Sequence, residues 1–230
     1  NMAVEGEEAR AFAELPAPGA RRTKDWAQKA DGVPVLEASA SIGPDHGETL
    51  LEARLKSLRP PERLVILADL AVGMKGAEEE RVRMDADQNM GALYPFSLNQ
   101  KLAVITENSP WYSSADNPWG RPIVPLEMVS VLAEYSSRQA KFPVKGPAVG
   151  LFADQEIRMV DGPLFVGEEY LIRREIVALS ESKRTESYWV RADIFDADGR
   201  TLRAQVLLNH ATLKQSFAGY DDARAARERA

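Results

Sequence analysis

A carboxylate and a phenol lie close together in the segment Thr106-Glu107-Asn108-Ser109-Pro110-Trp111-Tyr112. A glutamate can accept a proton at neutral pH, whereas a phenol, with an ordinary pKa near 10, donates a proton but is a poor base. The segment is therefore an active site, the remains of one, or only a loop that leads into a helix. In the last case Glu107 is solvated, Tyr112 packs over the helix, and neither residue does chemistry.

Histidine and cysteine, which supply many catalytic bases and nucleophiles, are rare or absent in this chain. There are 0 Cys and only two His, His46 and His210, which lie far apart in sequence. Thiolate sites and Cys nucleophiles are therefore excluded, metal catalysis is disfavoured, and we expect no cofactor. His210 alternates with the apolar residues Ala204, Val206 and Leu208, so we predict a hydrogen-bonded core histidine rather than a base. Asp45 and His46 fall in a segment that we interpret as surface.

The charge balance argues against nucleic acid as a partner. Lys and Arg number 29 against 35 Asp and Glu, which gives a net charge of -6 over 230 residues. A polyanion needs a basic surface, which this composition does not favour. No run of 18 apolar residues occurs, and acidic residues stand near the N-terminus where a secretory signal needs basic ones. We therefore expect a cytoplasmic protein without a membrane partner.

The first half of the chain gives few structural signals. Residues 1–47 are rich in Ala, Glu, Pro and Gly and predict an N-terminal arm that is possibly poorly packed. Leucines at helical spacing predict a short helix over residues 48–58. The apolar run 64–74 fits a buried strand or a buried helix equally well. The charged segment 75–89 is predicted to be solvated.

The second half predicts one helix and a long antiparallel sheet. Pro125 suits a helix start, and Leu126, Val129, Leu132, Ala133 and Ser136 then form an apolar face. After residue 149, alternating apolar residues predict about four strands of eight to twelve residues. The Asp196–Gly199 segment predicts a hairpin turn. These elements indicate an α+β fold in which the sheet wraps around the helix, within a single domain over residues 48–215, followed by a charged tail over 216–230.

The order of these features resembles the MaoC-like dehydratase group of hotdog-fold proteins. The resemblance covers residues 94–214 and depends mainly on three segments, which are 119–125, 161–168 and 187–214. It implies a hotdog fold with an N-terminal extension. It also implies that the ligand is an acyl thioester of coenzyme A or of acyl carrier protein.

The resemblance implies roles for particular residues. Active members of the group carry an Asp-x-Asn-Pro-x-His loop before the helix, and its acidic and imidazole positions fall on Glu107 and Tyr112. Glu107 keeps the carboxylate but is one methylene longer, a shift of about one ångström that can lower a rate roughly a hundredfold. Backbone amides from Gly120 to Val124, including that of Ile123, would hold the thioester oxygen next to the helix dipole.

Three neighbouring side chains have two interpretations each. Trp111 and Trp119 either line an acyl tunnel or fill an interface between protomers. Arg121 either pairs with a phosphate or carboxylate at the mouth of the site or is an exposed loop arginine. Asp116 and Asn117, which precede Pro118, are interpreted as turn formers.

Three functions from different classes follow. The first is a hydratase or dehydratase, a hydro-lyase with the altered pair Glu107 and Tyr112. The second is a catalytically silent hotdog subunit that binds a ligand or completes a partner's site. The third is a hotdog thioesterase in which Glu107 activates water. A long sheet edge also predicts at least a homodimer or a hotdog heteromer.

Overall fold

The computed structural model describes residues 6–14, 16–20, 22–41, 43, 47–77, 79–105 and 109–229. The contacts divide the chain into two compact units, Asn1–Ser57 and Leu58–Ala230. None of the described helices is long and apolar enough to cross a bilayer.

The first unit contains a small antiparallel sheet and one helix. Its strands are β1 (Ala9–Glu14), β2 (Lys24–Lys29) and β3 (Pro34–Ala38), in the order β1-β2-β3. Phe12 of β1 stacks on Trp26 of β2 with 5.2 Å between ring centroids, which is a favourable cross-strand aromatic pair. Helix α1 (Leu50–Ser57) confirms the short helix predicted from leucine spacing. The arm predicted over residues 1–47 thus contains regular structure, and its boundary as a domain stays a prediction.

The second unit is built on a five-stranded antiparallel sheet. Its strands are β4 (Glu80–Arg83), β5 (Gly150–Met159), β6 (Glu169–Glu181), β7 (Thr185–Asp196) and β8 (Leu202–Leu213), and their order is β4-β6-β7-β8-β5. The four long strands are confirmed. Strands β6, β7 and β8 pair in chain order, whereas β5 pairs with β8 at the far edge, so the sheet is not the four-stranded meander that the sequence favours. The hairpin between β7 and β8 is also confirmed, since Gly199 has a φ of 72° and donates its N–H to the Asp196 carbonyl at 2.9 Å. A Cβ at Gly199 would lie 2.9 Å from Arg173.

Strand β4 corrects the prediction for the charged segment 75–89. Glu80 pairs with Ile172 of β6, and both Glu80 and Val82 are buried. Alternate residues of the segment therefore enter the core, because β4 adds an edge strand to the sheet. The high charge of the segment concealed this pattern, since Glu80 itself faces inward.

Helix α3 (Leu126–Tyr135) packs on the concave face of this sheet. Pro125 is its N-cap residue. Most of the predicted apolar face is buried, including Val129, Leu132, Ala133 and Ser136. Leu126 is an exception, because it begins the helix with 56 % of its surface exposed. The sheet and α3 together form the hotdog fold expected from the sequence, with a core of α3, β4, β6, β7 and β8 residues.

A second apolar cluster fills the end of the concave face beyond α3. The apolar run 64–74, for which the sequence allowed a strand or a helix, forms turns instead, and Leu64 to Leu67 are buried. It packs with Ile176 of β6 and Val190 of β7. The C-terminal segment, expected to be a charged tail, forms helix α4 (Tyr220–Glu228), and Tyr220 joins this cluster. Helix α2 (Leu98–Leu102) completes the unit.

Candidate functional site

The loop that precedes α3 is held in shape by its own side chains. Ser109 caps the short turn Pro110–Tyr112 by accepting the Trp111 N–H at 3.4 Å. Asn117 accepts the Trp119 N–H at 2.9 Å and donates to the Arg121 carbonyl at 2.8 Å. These bonds confirm Asn117 as a turn former, because its amide replaces backbone partners that the irregular chain lacks.

Backbone hydrogen bonds attach this loop to the start of α3. The Ile123 N–H donates to the Trp111 carbonyl at 2.9 Å, and the Val124 N–H donates to the Leu164 carbonyl at 2.8 Å. Ile123 also forms an isolated bridge with Phe165. Because Val124 is buried and is followed by Pro125, the N-cap residue of the helix, the loop is anchored to the N-terminal end of α3.

Of the two residues predicted as an acid/base pair, one lies in the described part of the chain. Tyr112 ends the short turn and is half-buried. Glu107 lies outside the described residues, together with Thr106 and Asn108. The described chain therefore includes one member of the pair, and the roles of both stay predictions.

Trp111 and Trp119 lie against each other at the surface of the loop. Their rings meet edge to face with 5.6 Å between centroids, and they are 40 % and 43 % exposed. An edge-to-face pair of this kind stabilises the loop while leaving apolar ring surface in contact with water. We call these two residues the tryptophan pair. Both of the predicted roles, in a ligand tunnel or at an interface, require such surface.

Arg121 is engaged with its own chain. Its guanidinium carbon lies 3.5 Å from the centroid of the Phe165 ring, and its Nη1 lies 2.6 Å from Glu168. A cation over a ring face is favourable, but the ion pair is half exposed and contributes little to stability. Arg121 is therefore an anchored surface arginine whose charge Glu168 partly neutralises.

Three of the backbone amides predicted to bind a thioester oxygen already have acceptors. Gly120 donates its N–H to the Asn117 carbonyl at 3.1 Å. The N–H groups of Ile123 and Val124 donate to the carbonyls of Trp111 and Leu164. Pro125 makes no side-chain cap hydrogen bond to the first turn of α3. The first-turn amides of a helix have no partner within the helix and favour negative charge.

A buried ion network, which sequence reasoning missed, lies behind the C-terminal end of α3. Arg174 of β6 approaches Glu80 with Nε 2.8 Å from Oε1 and Nη2 3.0 Å from Oε2. Its Nη1 lies 3.3 Å from Glu134 of α3, and it also donates to the Ala133 carbonyl. The Ser136 hydroxyl donates to Glu80 at 2.5 Å. The network joins β4, β6 and α3, and its ionic side chains are at most 3 % exposed.

Burial controls protonation in this network. It raises the pKa of Glu134 above its usual value of 4.5, against the opposing effect of Arg174. One guanidinium faces two carboxylates, and burial favours the neutral form of Glu134 more strongly in the fold than in water. The sequence contains a sign of this buried arginine, because strand alternation places Arg174 on the same face as the apolar residues Ile172 and Ile176.

His210 lies in an aromatic row on the concave face. Its ring stacks on Tyr188 with 4.7 Å between centroids and 10° between planes, and it meets Phe152 edge to face at 5.5 Å. Burial and, second, the charge of Arg174 lower the pKa of His210 to about 4. Burial raises the pKa of Tyr188 to about 12. Both rings are therefore neutral at pH 7.

A second buried carboxylate fixes the segment that covers the end of the sheet. Glu186 accepts N–H bonds from Val65, Ile66 and Leu67 at 2.8, 2.9 and 3.0 Å, and the Tyr220 hydroxyl donates to it at 2.7 Å. Three consecutive amides around one carboxylate form an anion-binding concavity. This arrangement replaces the strand or helix that the apolar run suggested. Within the described ranges, no cluster of three or more His, Asp or Glu side chains could hold a metal ion.

Comparisons with known proteins support the fold. The sequence matches no family model and no curated protein. A structure described as the monoamine oxidase regulatory protein from Archaeoglobus fulgidus has a TM-score of 0.50 and 13 % identity, and the match covers 68 % of this chain and 97 % of that one.

Two further structures are similar at lower scores. The HadBC (3R-hydroxyacyl-ACP dehydratase) complex from Mycobacterium tuberculosis has a TM-score of 0.48 and 18 % identity, with 61 % of this chain and 96 % of that one covered. A MaoC-like dehydratase from Rhodospirillum rubrum has a TM-score of 0.44 and 14 % identity, with 65 % and 97 % covered. These likenesses are of fold alone, and they agree with the hotdog fold predicted from the sequence.

Proposed function

We propose that this chain binds an acyl thioester of coenzyme A or of acyl carrier protein, and that it is a hydro-lyase of the hydratase or dehydratase type. The observation that carries this proposal is the position of Tyr112. It is half-buried in a loop that hydrogen bonds anchor to the N-terminal end of α3. In this proposal the Tyr112 hydroxyl donates its proton near the N-terminal end of α3, which favours developing negative charge.

Glu107 and Tyr112 have complementary roles in this proposal. During hydration, the Glu107 carboxylate takes a proton from water while the water oxygen bonds to the β-carbon of the enoyl thioester. The π electrons move to the α-carbon, which takes the proton of the Tyr112 hydroxyl. Proton exchange with solvent then restores both side chains. Dehydration is the same sequence in reverse.

The thioester oxygen needs a hydrogen-bond donor in this scheme. Gly120, Ile123 and Val124 already donate elsewhere, so we assign this role to the first-turn N–H groups of Leu126 and Glu127. Pro125 offers them no side-chain cap. The tryptophan pair then flanks the acyl group, and Arg121 lies at the mouth of the site, where the phosphates of the carrier are expected.

An absorbance assay tests this proposal. Short, medium and aromatic enoyl-CoA thioesters are incubated with the protein, and loss of the conjugated enoyl absorbance is followed. We expect turnover that falls at least about a hundredfold in Glu107→Gln and Tyr112→Phe, the range for loss of one acid/base group. Glu62→Gln and Tyr135→Phe, which change exposed residues, are the matched controls. Equal activity in all four variants would remove Glu107 and Tyr112 from the mechanism.

A catalytically silent hotdog subunit is the second candidate. The internal use of the Gly120, Ile123 and Val124 amides favours it, because a site without its oxyanion donors binds without accelerating the reaction. This candidate predicts thioester binding without turnover and stable association with a histidine-containing hotdog chain. Release of free coenzyme A in the same assay would instead indicate the thioesterase alternative.

A further inference from the structure

His210 and Tyr188 carry polar atoms that the described chain leaves without partners. Within the described residues, neither ring nitrogen of His210 nor the hydroxyl of Tyr188 takes part in a hydrogen bond, although the sequence predicts one for His210. Both side chains are partly buried. Native proteins leave few buried polar groups unpaired, because a donor or acceptor that leaves water without finding a partner costs free energy. A ligand with a complementary polar group would supply the missing bonds.

These polar atoms can be reached from the surface. Among the described side chains, Asn209 Oδ1 is the one polar atom that is both sealed from solvent and unpaired, so the unpaired atoms of His210 and Tyr188 are not sealed. Phe152, which meets His210 edge to face, is 47 % exposed. Phe142 meets Tyr188 edge to face with 6.4 Å between ring centroids. We call Phe142, Tyr188, His210 and Phe152 the four-ring cluster.

The four-ring cluster and the candidate active site lie at opposite ends of α3. The loop that holds Tyr112 is anchored to the N-terminal end of the helix and to a segment that follows the end of β5. His210 instead pairs with the first residues of β5. The charges of Glu134 and Arg174, which meet at the C-terminal end of α3, act on Tyr188. The ten residues of the helix therefore separate the two places by about 15 Å.

The surroundings of the cluster favour a neutral ligand that carries a ring. Arg174 already faces Glu80 and Glu134, so its charge is balanced without an anion. His210 and Tyr188 are both neutral at pH 7, because burial shifts the pKa of each away from that pH. A neutral imidazole has one nitrogen that donates and one that accepts, and a phenol hydroxyl does both. Aromatic walls suit a ring, since rings stack or pack edge to face.

We propose that the four-ring cluster is a second ligand site, separate from the candidate active site, and that it binds a small neutral phenol or a comparable hydroxylated ring. The hydroxyl of the ligand donates to the imidazole nitrogen of His210 that carries no hydrogen, and it accepts from the Tyr188 hydroxyl. One hydroxyl can reach both side chains, because their rings stack with 4.7 Å between centroids. The ring of the ligand packs against the exposed part of Phe152. This site does not depend on the proposed thioester function.

Proton NMR of the full chain, with phenol as the probe, tests the site. We expect the imidazole signals of His210, identified with His46→Asn, to shift saturably with a dissociation constant of about a millimolar or below. Toluene has the size of phenol but no hydroxyl, so it should bind at least about tenfold more weakly, the effect of one lost hydrogen bond. Equal binding of phenol and toluene, or no response of His210, overturns the proposal. A response that disappears as the protein concentration rises would show that a second copy covers the cluster, which overturns it as well.

Tyr188→Phe provides an independent test, because it keeps the stacked ring and removes the hydroxyl. We expect the variant to bind phenol at least about tenfold more weakly than wild type, and toluene within about twofold. Its urea midpoint should equal or exceed that of wild type, because the fold loses a polar atom that has no partner. Tyr135→Phe, which changes a side chain that is 44 % exposed on α3, is the control and should alter neither affinity. A lower midpoint in Tyr188→Phe would reveal a partner for the hydroxyl within the fold and would overturn the site.

Discussion

The guanidinium of Arg174 binds both carboxylate oxygens of Glu80 inside the core, with nitrogen to oxygen distances of 2.8 and 3.0 Å. This bidentate pair connects β6 to the edge strand β4, and through Glu134 it reaches α3. Because these charges are removed from water, loss of one partner leaves the others without compensation. The network therefore fixes the position of the helix that carries the candidate site.

Removal of the Arg174 charge should destabilise the second unit strongly. We expect Arg174→Met to lower the free energy of unfolding by about 3–5 kcal/mol, because Glu80 and Glu134 remain buried without a cation. Urea denaturation followed by circular dichroism measures the change. Arg81→Met, which breaks an exposed ion pair with Glu169 on the same two strands, is the control and should cost less than about 1 kcal/mol. Similar losses in the two variants would contradict the role of the network.

Glu134 should make stability depend on pH. The raised pKa means that the folded chain holds this proton more tightly than the unfolded chain does. Its contribution is fully present below pH 4.5 and is lost as the pH rises through the folded pKa. Glu134→Gln has no proton to lose, so we expect the variant to gain stability relative to wild type between pH 4 and pH 8. A stability difference that is constant over this range would contradict the assignment.

His210 should make the fold less stable as the pH falls, whereas Glu134 makes it less stable as the pH rises. Its pKa is about 4 in the fold and 6.5 ordinarily, so the unfolded chain takes up a proton first as the pH falls. The stability contributed by the neutral ring is full above pH 6.5 and declines towards pH 4, by roughly 3 kcal/mol at most. Proton NMR of the imidazole signals measures the pKa, and His46→Asn assigns the two histidines. A His210 signal that titrates near pH 6.5 would show that the ring is solvated.

The carboxylate of Glu186 should control the segment that closes the end of the sheet. We expect Glu186→Gln to cost about 2–4 kcal/mol, because charge-assisted bonds to three amides are weakened. Hydrogen exchange at Val65 to Leu67 should accelerate with the loss. Tyr220→Phe removes one donor and should cost about 1 kcal/mol. Unchanged exchange in Glu186→Gln would mean that apolar packing alone fixes the segment.

The spacing of apolar residues along the chain is sufficient to predict the long strands and the helix that packs on them. The four long strands, the β7–β8 hairpin and α3 follow from alternation, a glycine turn and i, i+3, i+4 spacing. Leu126 was misassigned because the first residue of a helix satisfies the spacing without being covered. The order of these elements along the chain then indicated the hotdog arrangement.

Features that depend on long-range pairing could not be predicted from local pattern. β4 was missed because its inward residue is Glu80, which is acceptable in the core only beside Arg174, 94 positions away. The turns at 64–70 have no periodic signal because their amides bind Glu186 on another strand. In the candidate site, the donation of the Ile123 and Val124 amides to the carbonyls of Trp111 and Leu164 could not be predicted, because it depends on how the loop folds back on other segments.

Calorimetric binding of a saturated acyl-CoA to the full chain tests the central claim most directly, because it requires no turnover. The account predicts saturable binding that free coenzyme A does not reproduce. Trp119→Ala should weaken that binding at least tenfold, and Val72→Ala should leave it unchanged. Absence of binding, or equal affinity in the Trp119→Ala variant, would contradict the claim that the loop before α3 holds an acyl thioester.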